Sequence, residues 1–305
     1  MFCRYRGDAF LVCKIIVTGA KGQLGTELVK MIKSGQSELG QLDDFYKNVQ
    51  VIAADLSDLD ICDAQSVYEF IKNARPYAVV NCAAMTDVDG CETNSAQAFK
   101  INALGPRNLA VACENFGAKL VQISTDYVFD GCKKSPYVET DSVAPQSVYG
   151  TSKNLGEQYV KNFSNKWFIL RTAWLYGYEG NNFVKTIVKA GREKGFLKVV
   201  NDQIGNPTNA ADLAWHICKL LKTNEYGTYH CTGKGECSWF DFACEIVKNF
   251  EIDAVVRPCS TDEFPRPASR PQYSSLKNFM LGLTVGDQFR PWQEALKAYS
   301  ENIQI

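Results

Sequence analysis

A tyrosine and a lysine four residues apart, Tyr149 and Lys153, have the spacing in this chain best suited to acid–base chemistry. If Tyr149 opens a helix, Lys153 projects from the same face one turn later. An ammonium group favours a neighbouring phenolate, so we expect Lys153 to lower the pKa of Tyr149 from its usual value of about 10. Such a tyrosine can give a proton to an oxygen that becomes negative in a transition state.

Thr125, in the run Ser124-Thr125-Asp126, is the third candidate. If it ends a strand that points into the same cleft, its hydroxyl can bind the same oxygen. The three groups suit the reduction of a carbonyl, which needs a hydride on carbon and a proton on oxygen. A Tyr-x-x-x-Lys spacing alone also fits an exposed tyrosine and a solvated lysine, because short motifs often match by chance. The predicted strands and helices around these residues therefore have to distinguish a catalytic group from an exposed tyrosine and a solvated lysine.

Size and charge describe an ordinary globular protein. The chain has 305 residues, 46% hydrophobic and 22% charged, with a net charge of −1. This length allows one large α/β domain or a domain with an added lobe. No excess of charge attracts nucleic acid or an anionic membrane, so neither is an expected partner. No secretory or membrane segment is evident, and we expect a cytoplasmic protein.

Twelve cysteines raise the question of disulfides or a metal site. No two of them form a Cys-x-x-Cys pair, and several, such as Cys82 and Cys113, lie in apolar runs where a thiol packs as a small hydrophobic group. With only two histidines, His216 and His230, a zinc site is not expected. We predict reduced thiols and no metal ligands.

A glycine-rich turn follows the first predicted strand. The apolar run Cys13 to Thr18 is typical of a strand covered on both faces, and Gly19, Gly22 and Gly25 lead from it into a helical pattern. Glycines at this spacing allow a tight turn and close approach of backbone N–H groups to a diphosphate. We therefore predict a dinucleotide site here, the alternative being a plain strand-to-helix turn.

An acidic residue, Asp55, follows the second predicted strand, Val49 to Ala54. An acid in this place usually binds the ribose hydroxyls of adenosine and disfavours a 2′-phosphate, so NADH is at least as plausible as NADPH. The alternative is that Asp55 caps a helix or loop. Between the glycines and this strand, residues 34–48 are polar and predict a surface connection with at most one helical turn.

The next two strands bring further candidates to the same edge of the sheet. Small residues at 83–86 follow the third strand, Tyr77 to Asn81, where a cofactor can approach the backbone. A long amphipathic helix, roughly 94–115, contains Asn102. The fourth strand, Lys119 to Ser124, then places Thr125 at the edge that also carries the glycine turn.

Strands and helices alternate as far as a fifth strand, Trp167 to Arg171, which predicts an α/β fold with a doubly wound parallel sheet of the Rossmann type. Beyond it the pattern mixes helices near 182–193, 210–222 and 239–249 with short strands near 197–200 and 228–231. We predict a dinucleotide-binding domain over 13–172, a smaller C-terminal α/β substrate lobe over 173–305, and an extension over 1–12. The chain can cross between the lobes, so the boundary is approximate.

Several motifs resemble one family. The glycine turn, Ser124-Thr125 and Tyr149-x-x-x-Lys153 together resemble the extended short-chain dehydrogenase/reductase superfamily. Longer matches narrow the resemblance to the dTDP-4-dehydrorhamnose reductase family. They are Gly22-Gln23-Leu24-Gly25, the run from Ser124 to Gly131, Arg171-Thr172-Ala173-Trp174, the run from Asp202 to Thr208, and Arg270-Pro271.

This resemblance implies hydride transfer from NADH or NADPH to the C4 ketone of dTDP-4-dehydro-L-rhamnose. It implies Tyr149 as the proton donor, Lys153 as its electrostatic partner and ribose ligand, and Thr125 as the tuning hydroxyl. Substrate contacts fall on Thr125, Asp126, Trp174, Arg266 and Arg270, the two arginines being suited to a diphosphate. Tyr149 and Lys153 also join the implied cofactor site, whose other residues are Gly19, Gly22, Gln23, Leu24, Gly25, Asp55, Asp60, Ile61, Ala83, Ala84, Met85, Thr86 and Asn102.

Some members of the family hold a magnesium ion at a dimer contact. Glu27 matches one of its acidic positions, but the others have no clear match, so a metal is compatible with the chain and is not predicted. We expect a monomer or a homodimer. For Trp174 and the arginines, a core tryptophan and solvated loop arginines are the alternatives.

Three other functions are alternatives for a chain with these motifs. A nucleotide-sugar 4,6-dehydratase is disfavoured because Tyr127, and not a glutamate, follows Asp126. A 4-epimerase or another ketoreductase of the superfamily would use the same Thr, Tyr and Lys, and stays open. A non-catalytic regulatory subunit with this fold would not need all three groups, so their presence argues against it.

Overall fold

The computed structural model describes residues 13–303. The predicted N-terminal extension lies outside them. In chain order the strands are β1 (Cys13–Thr18), β2 (Gln36–Ser37), β3 (Gly40–Gln41), β4 (Val49–Ala54), β5 (Ala78–Asn81), β6 (Lys119–Thr125), β7 (Trp167–Thr172), β8 (Leu175–Tyr176), β9 (Phe196–Val200), β10 (Ile204–Gly205), β11 (Thr208–Asn209), β12 (Gly227–His230), β13 (Cys237–Ser238) and β14 (Val255–Cys259). The α-helices are α1 (Gln23–Ser34), α2 (Ala64–Ala74), α3 (Val88–Thr93), α4 (Ser95–Phe99), α5 (Gly105–Phe116), α6 (Val148–Phe163), α7 (Phe183–Lys194), α8 (Ala210–Leu221), α9 (Trp239–Asn249), α10 (Phe279–Thr284) and α11 (Trp292–Asn302).

Six parallel strands form the central sheet, in the order β12-β7-β6-β5-β1-β4. This confirms the predicted doubly wound fold of the Rossmann type. The strand order changes direction at β1, which has β4 on one side and β5 on the other. Ligands of open α/β sheets bind at such a switch point, beyond the carboxyl ends of the strands. The glycine turn after β1 and the small residues after β5 both lie there.

Apolar side chains explain why the sheet is covered on both faces. Ile15, Ile16 and Val17 are fully buried although they point alternately to opposite sides of β1. One core lies between the sheet and helices α1 and α8, and the other between the sheet and helices α2, α5 and α6. The sheet edge is therefore held from both sides, which keeps the residues beyond its strands in place.

The second half of the chain builds a smaller aromatic core from α7, α9, α11 and β9. The predicted helices and short strands of this half are present, and a capping box formed by Ser238 and Asp241 begins α9. However, β12 returns to pair with β7 in the central sheet. The chain thus crosses between its two halves, and the division at 172/173 stays a prediction.

Two segments contain features that the sequence did not predict. Residues 34–48 form the β2–β3 hairpin and a 3₁₀ turn, and Tyr46 in this segment is buried, with its hydroxyl donating to the Cys218 carbonyl at 2.6 Å. Most of the segment is exposed, as predicted, and Leu42 and Tyr46 attach it to the core. The helix predicted over 94–115 is interrupted by a π-helical turn at Lys100–Leu104, a feature common at functional sites.

Candidate active site

Helix α6 sets the position of Tyr149 and Lys153. Ser147 caps its N-terminus, accepting a hydrogen bond from the Gly150 N–H at 3.1 Å, and so Tyr149 lies in the first turn. A Cβ on Gly150 would clash with the Tyr127 carbonyl, and one on Gly156 with the Asn102 carbonyl. The two glycines therefore let α6 approach the loop after β6 and the π-helical turn closely.

The three predicted catalytic side chains all lie along the last residues of β6. Thr125 ends this strand, and its hydroxyl lies within hydrogen-bonding reach of the Tyr149 phenol. The Lys153 ammonium donates to the Ile123 carbonyl on the same strand at 2.6 Å. Thr125 and Lys153 are buried, while Tyr149 is partly exposed. Thr125 and Lys153 are thus fixed inside the fold, and Tyr149, although partly exposed as a residue, has its phenol surrounded by protein.

The expected lowering of the Tyr149 pKa is not observed. Burial raises the pKa of Tyr149 above its usual value, and the hydrogen bond to Thr125 opposes this only in part. The reason is that desolvation disfavours the phenolate, while the Lys153 ammonium is directed at a backbone carbonyl. Burial also lowers the pKa of Lys153 to about 8, against the opposing effect of the Glu157 carboxylate.

Asp126 is a buried carboxylate next to this group. It accepts the Thr125 hydroxyl at 2.9 Å through Oδ1, whereas Oδ2 has no partner. Burial raises the pKa of Asp126 to about 6, although the hydrogen bond from Thr125 acts in the other direction. An acceptor that is buried and incompletely paired is suited to a hydroxyl of a bound sugar.

The glycine turn has the properties of a diphosphate site. Gly19 has a φ of +61°, and a Cβ there would lie 2.7 Å from the Ala83 nitrogen. A Cβ on Gly25 would clash with the Gly19 carbonyl. No side chain caps the N-terminus of α1, so the first N–H groups of this helix stay available to an anion. The residues present therefore fit a dinucleotide.

Other predicted cofactor residues surround this turn. Asp55 accepts the Lys21 N–H at 3.0 Å, which ties the turn to the end of β4. Asn102 exchanges hydrogen bonds with the Met85 backbone at 2.9 and 3.0 Å and donates to Ser152 at 3.2 Å. Its amide thus holds the segment after β5. The remaining predicted residues, around the same edge, are Gln23, Leu24, Asp60, Ile61, Ala84 and Thr86.

Trp174 follows β7 and faces the second half of the chain. Its indole stacks on Trp239 with ring centroids 3.6 Å apart and an angle of 9° between the planes. Its backbone has a φ of +46°, unusual for a residue other than glycine. Gly205 also lies against the indole, where a Cβ would lie 2.5 Å from the ring. Trp174 is therefore held by two neighbours, and a ligand can contact only the part of the indole that they leave uncovered.

The two predicted arginines line a cavity of about 300 Å³, with Gln203 and Thr261 among its other residues. Arg270 makes a bidentate pair with Asp89, both N···O distances being 2.9 Å, while Arg266 lies 3.9 Å from the same carboxylate. The Arg270 pair holds the pKa of Asp89 below its usual range. The structure thus brings both arginines together around an acidic residue of α3.

Glu27, the residue that matches an acidic position of the family's magnesium site, lies in α1. Its carboxylate is buried, one oxygen lacks a partner, and burial raises its pKa. Within residues 13–303 of one chain, no group of three or more His, Cys, Asp or Glu side chains could hold a metal ion. The ten cysteines from Cys62 to Cys259 are free thiols. None of the helices in this range has the length and apolar character needed to cross a membrane.

Three residues near the site were missed from the sequence. Asp89 and Trp239 touch predicted site residues, and Glu157 binds Ser124 and Arg171 beneath them. Glu157 alone had a usable signal, since it follows Lys153 by one more helical turn on the same face. For Asp89 and Trp239, the contact depends on the tertiary fold.

Comparison with known proteins gives consistent matches over nearly the whole chain. The family described as RmlD substrate binding domain matches residues 13–305. A dTDP-4-dehydrorhamnose reductase of Aggregatibacter actinomycetemcomitans is 37% identical, covering 95% of this chain and 100% of the relative. The solved dTDP-4-dehydrorhamnose reductase of Clostridium acetobutylicum is 52% identical with a TM-score of 0.89, covering 94% of this chain and 98% of that one.

A second solved structure was determined with a nucleotide. The dTDP-4-dehydrorhamnose reductase of Bacillus anthracis, in complex with NADP, is 43% identical with a TM-score of 0.88, covering 95% of this chain and 99% of that one. The resemblance that the motifs show therefore extends over nearly the whole chain. The chain belongs to the dTDP-4-dehydrorhamnose reductase family of NAD(P)H-dependent enzymes.

Proposed function

We propose that this enzyme reduces the C4 ketone of dTDP-4-dehydro-L-rhamnose to the alcohol of dTDP-L-rhamnose, using NADH or NADPH. One observation supports the proposal most. The Thr125 hydroxyl at the end of β6 lies within hydrogen-bonding reach of Tyr149, and the Lys153 ammonium binds the Ile123 carbonyl of the same strand, on the sheet edge that also bears an uncapped glycine turn. Relatives that span the whole chain bear the name of this activity.

The three side chains divide the proton chemistry between them. The bound coenzyme supplies the hydride to C4. Tyr149 gives its phenolic proton to the ketone oxygen as negative charge develops there, and its phenolate then regains a proton from solvent. Thr125, whose hydroxyl donates to Asp126 in the free enzyme, would turn this hydrogen bond to the same oxygen when substrate binds. Lys153 stabilises the transient phenolate with its ammonium group, provided that it is protonated.

The cofactor would lie across the switch point of the sheet. Its diphosphate binds the free N–H groups at the start of α1, where Gln23 and Leu24 follow the glycine turn. Asp55 lies where the adenosine ribose is bound in such folds, and it disfavours a 2′-phosphate there. Both coenzymes have to be compared, because the Bacillus anthracis relative was solved with NADP.

The substrate would extend from the catalytic group toward the second half of the chain. Trp174 offers a flat apolar face to the deoxysugar, and Asp126 offers a buried acceptor to a sugar hydroxyl. Arg266 and Arg270 bind the diphosphate, which requires Arg270 to share its guanidinium between Asp89 and the ligand. The oligomeric state, monomer or homodimer, and the cytoplasmic location stay predictions.

The test is an assay with purified enzyme, dTDP-4-dehydrorhamnose and either reduced nicotinamide. We expect one coenzyme to be oxidised per sugar, with a product two hydrogens heavier by mass spectrometry. A sugar isomerised without net coenzyme oxidation would indicate an epimerase, and coenzyme binding without any conversion would indicate a regulatory subunit.

The matched variants are Tyr149→Phe and Tyr159→Phe, both on α6. Tyr149→Phe should lose about 10²- to 10⁴-fold in kcat and still bind coenzyme, because only the proton is missing. Tyr159 contacts Phe163, two helical turns beyond Lys153 and away from the catalytic group, so its variant should keep full activity. Full activity in Tyr149→Phe would disprove the proton-donor role.

A further inference from the structure

Glu157 is a buried carboxylate on the same helix face as Tyr149 and Lys153. It lies one turn beyond Lys153 in α6, and its side chain is 1% exposed. A lone buried carboxylate is unfavourable, so its partners must account for its charge. None of these partners belongs to the proposed proton relay.

The partners of Glu157 are residues of the two strands next to the catalytic group. Ser124, directly before Thr125 on β6, donates to Oε1 at 2.6 Å. Arg171 on β7 donates through Nε to Oε1 at 2.9 Å and through Nη2 to Oε2 at 2.7 Å. Ser124 and Arg171 are paired neighbours in the sheet. One carboxylate therefore ties α6 to both strands, immediately below Thr125.

Glu157 is also the negative charge nearest in sequence to Lys153. The groups that face Lys153 are this carboxylate on α6, the Cys82 thiol after β5 and the Ile123 carbonyl on β6. The cations that face Glu157 are Arg171 from β7 and Lys161 from α6, the latter at 3.9 Å. Burial lowers the pKa of Lys153 to about 8, and the Glu157 charge limits this decrease.

We propose that Glu157 is a positioning residue of the reaction. Its carboxylate, bound to Ser124 and Arg171, sets the register of α6 against β6 and supplies the negative charge that faces Lys153. This inference rests on the proposed function, since it concerns the same proton relay. Glu157 touches no reacting atom, and it acts through Lys153 and through the placement of Tyr149 relative to Thr125.

The charge is tested with Glu157→Gln in the full-length enzyme, with Asp212→Asn as the matched control. Asp212 is 1% exposed, pairs with Arg290, and lies on α8 away from the catalytic group. We measure kcat and KM across pH, together with the melting temperature. Glu157→Gln should lower kcat about tenfold and move the alkaline fall of kcat from near pH 8 to lower pH by about half a unit or more. Asp212→Asn should lose stability without moving that fall.

The register is tested separately with Ser124→Ala, which removes one hydrogen bond and keeps the ion pair. We expect kcat to fall about threefold or more, with the pH dependence unchanged because the charge is kept. This variant also keeps the proposal testable if Glu157→Gln does not fold.

A Glu157→Gln enzyme with the pH profile of the parent, or a Ser124→Ala enzyme with its full kcat, would overturn the inference. Neither result would contradict the proposed function. That proposal depends on sugar-dependent oxidation of the coenzyme by the parent enzyme and on the loss of this oxidation in Tyr149→Phe. Failure of those two would instead remove the proposed function itself.

Discussion

The catalytic group and the arginine segment, residues 261–273, lie at opposite ends of the proposed substrate and are built differently. Thr125 and Lys153 are buried on a strand and a helix of the central fold. The arginine segment is mostly irregular, the side chain of Arg266 is 60% exposed, and the anchor of Arg270 is one carboxylate, Asp89.

This difference follows from what each region has to do. Proton transfer needs donor and acceptor at hydrogen-bonding distance in the transition state, and a small displacement is costly. A diphosphate can be bound by side chains that rearrange, because charge attraction tolerates small changes of position. Changes in the catalytic group should therefore act on kcat, and changes in the arginine segment on KM.

Lys153→Met should have the largest effect. Without the ammonium, the phenolate formed from Tyr149 loses its stabilising charge, and we expect kcat to fall about 10³-fold. In the parent, burial lowers the Lys153 pKa to about 8, so kcat should decrease as the pH rises through this value and the lysine loses its proton. The pH–rate profile checks both points: this decrease should be absent in the variant. A variant with the parent's profile would assign the decrease to another group.

Arg270→Lys should act at the other end, on KM. A lysine cannot reproduce the bidentate contact of a guanidinium with two oxygens, so the KM for the dTDP-sugar should rise about 10- to 100-fold. We expect kcat to stay within a few-fold of the parent. Arg266→Lys, at the more exposed position, is the matched control and should change KM less. If Arg270→Lys lowered kcat and left KM unchanged, the contrast between the two regions would fail.

Asp126→Asn tests what the buried catalytic region costs in stability. Burial raises the pKa of Asp126 to about 6, so the folded state favours the protonated form. The raised pKa of Asp126 therefore stabilises the folded state fully at pH values below the unfolded pKa of about 4. This contribution to stability is lost as the pH rises through 6. At pH 7 the neutral asparagine should therefore stabilise the fold by on the order of 2 kcal/mol.

Thermal unfolding at pH 7 and at pH 4 measures this gain. The gain in stability should disappear at pH 4, where the parent carboxyl is itself protonated. The activity of Asp126→Asn should be lower than that of the parent, because the sugar loses a charged acceptor. Asp44→Asn, at a side chain that is 83% exposed, is the control and should change stability little. Equal stabilisation at both pH values would rule out the ionisation of Asp126 as its cause.

The catalytic region was also the more predictable of the two. A buried parallel strand and a helix with 3.6-residue periodicity set where Thr125, Tyr149 and Lys153 lie, so local pattern was enough to place them at the end of β6 and on one face of α6, and their catalytic roles stay a prediction. The sign of the Tyr149 pKa shift was missed because desolvation depends on the packing of distant segments around the phenol.

The arginine segment shows where sequence reasoning ends. Its prolines predict irregular backbone, and nothing local indicates that Asp89, in a short helix nearly two hundred residues earlier in the chain, would occupy Arg270. The hairpin at 34–48 was missed for the same reason, since Tyr46 is buried by α8, which is far away in sequence. Contacts between irregular segments have no sequence periodicity from which they could be predicted.

Trp239→Leu gives the smallest effect and concerns the surface between the two regions. Trp174 has a left-handed backbone conformation, which costs a non-glycine residue about 1 kcal/mol. Its stacking on Trp239 at 3.6 Å contributes a similar amount and holds the indole in one orientation. Removing Trp239 should let Trp174 rotate, so the KM for the sugar should rise about threefold while kcat changes less.

Circular dichroism distinguishes this rotation from a general loss of structure. Two stacked indoles give an exciton couplet in the far ultraviolet, which should vanish in Trp239→Leu and persist in Trp167→Phe, whose tryptophan lies at the start of β7 outside the stack. A lost couplet with an unchanged KM would mean that the orientation of Trp174 does not matter to the sugar. The substrate wall would then belong with the adaptable arginine segment, because only a rigid surface loses affinity when its support is removed.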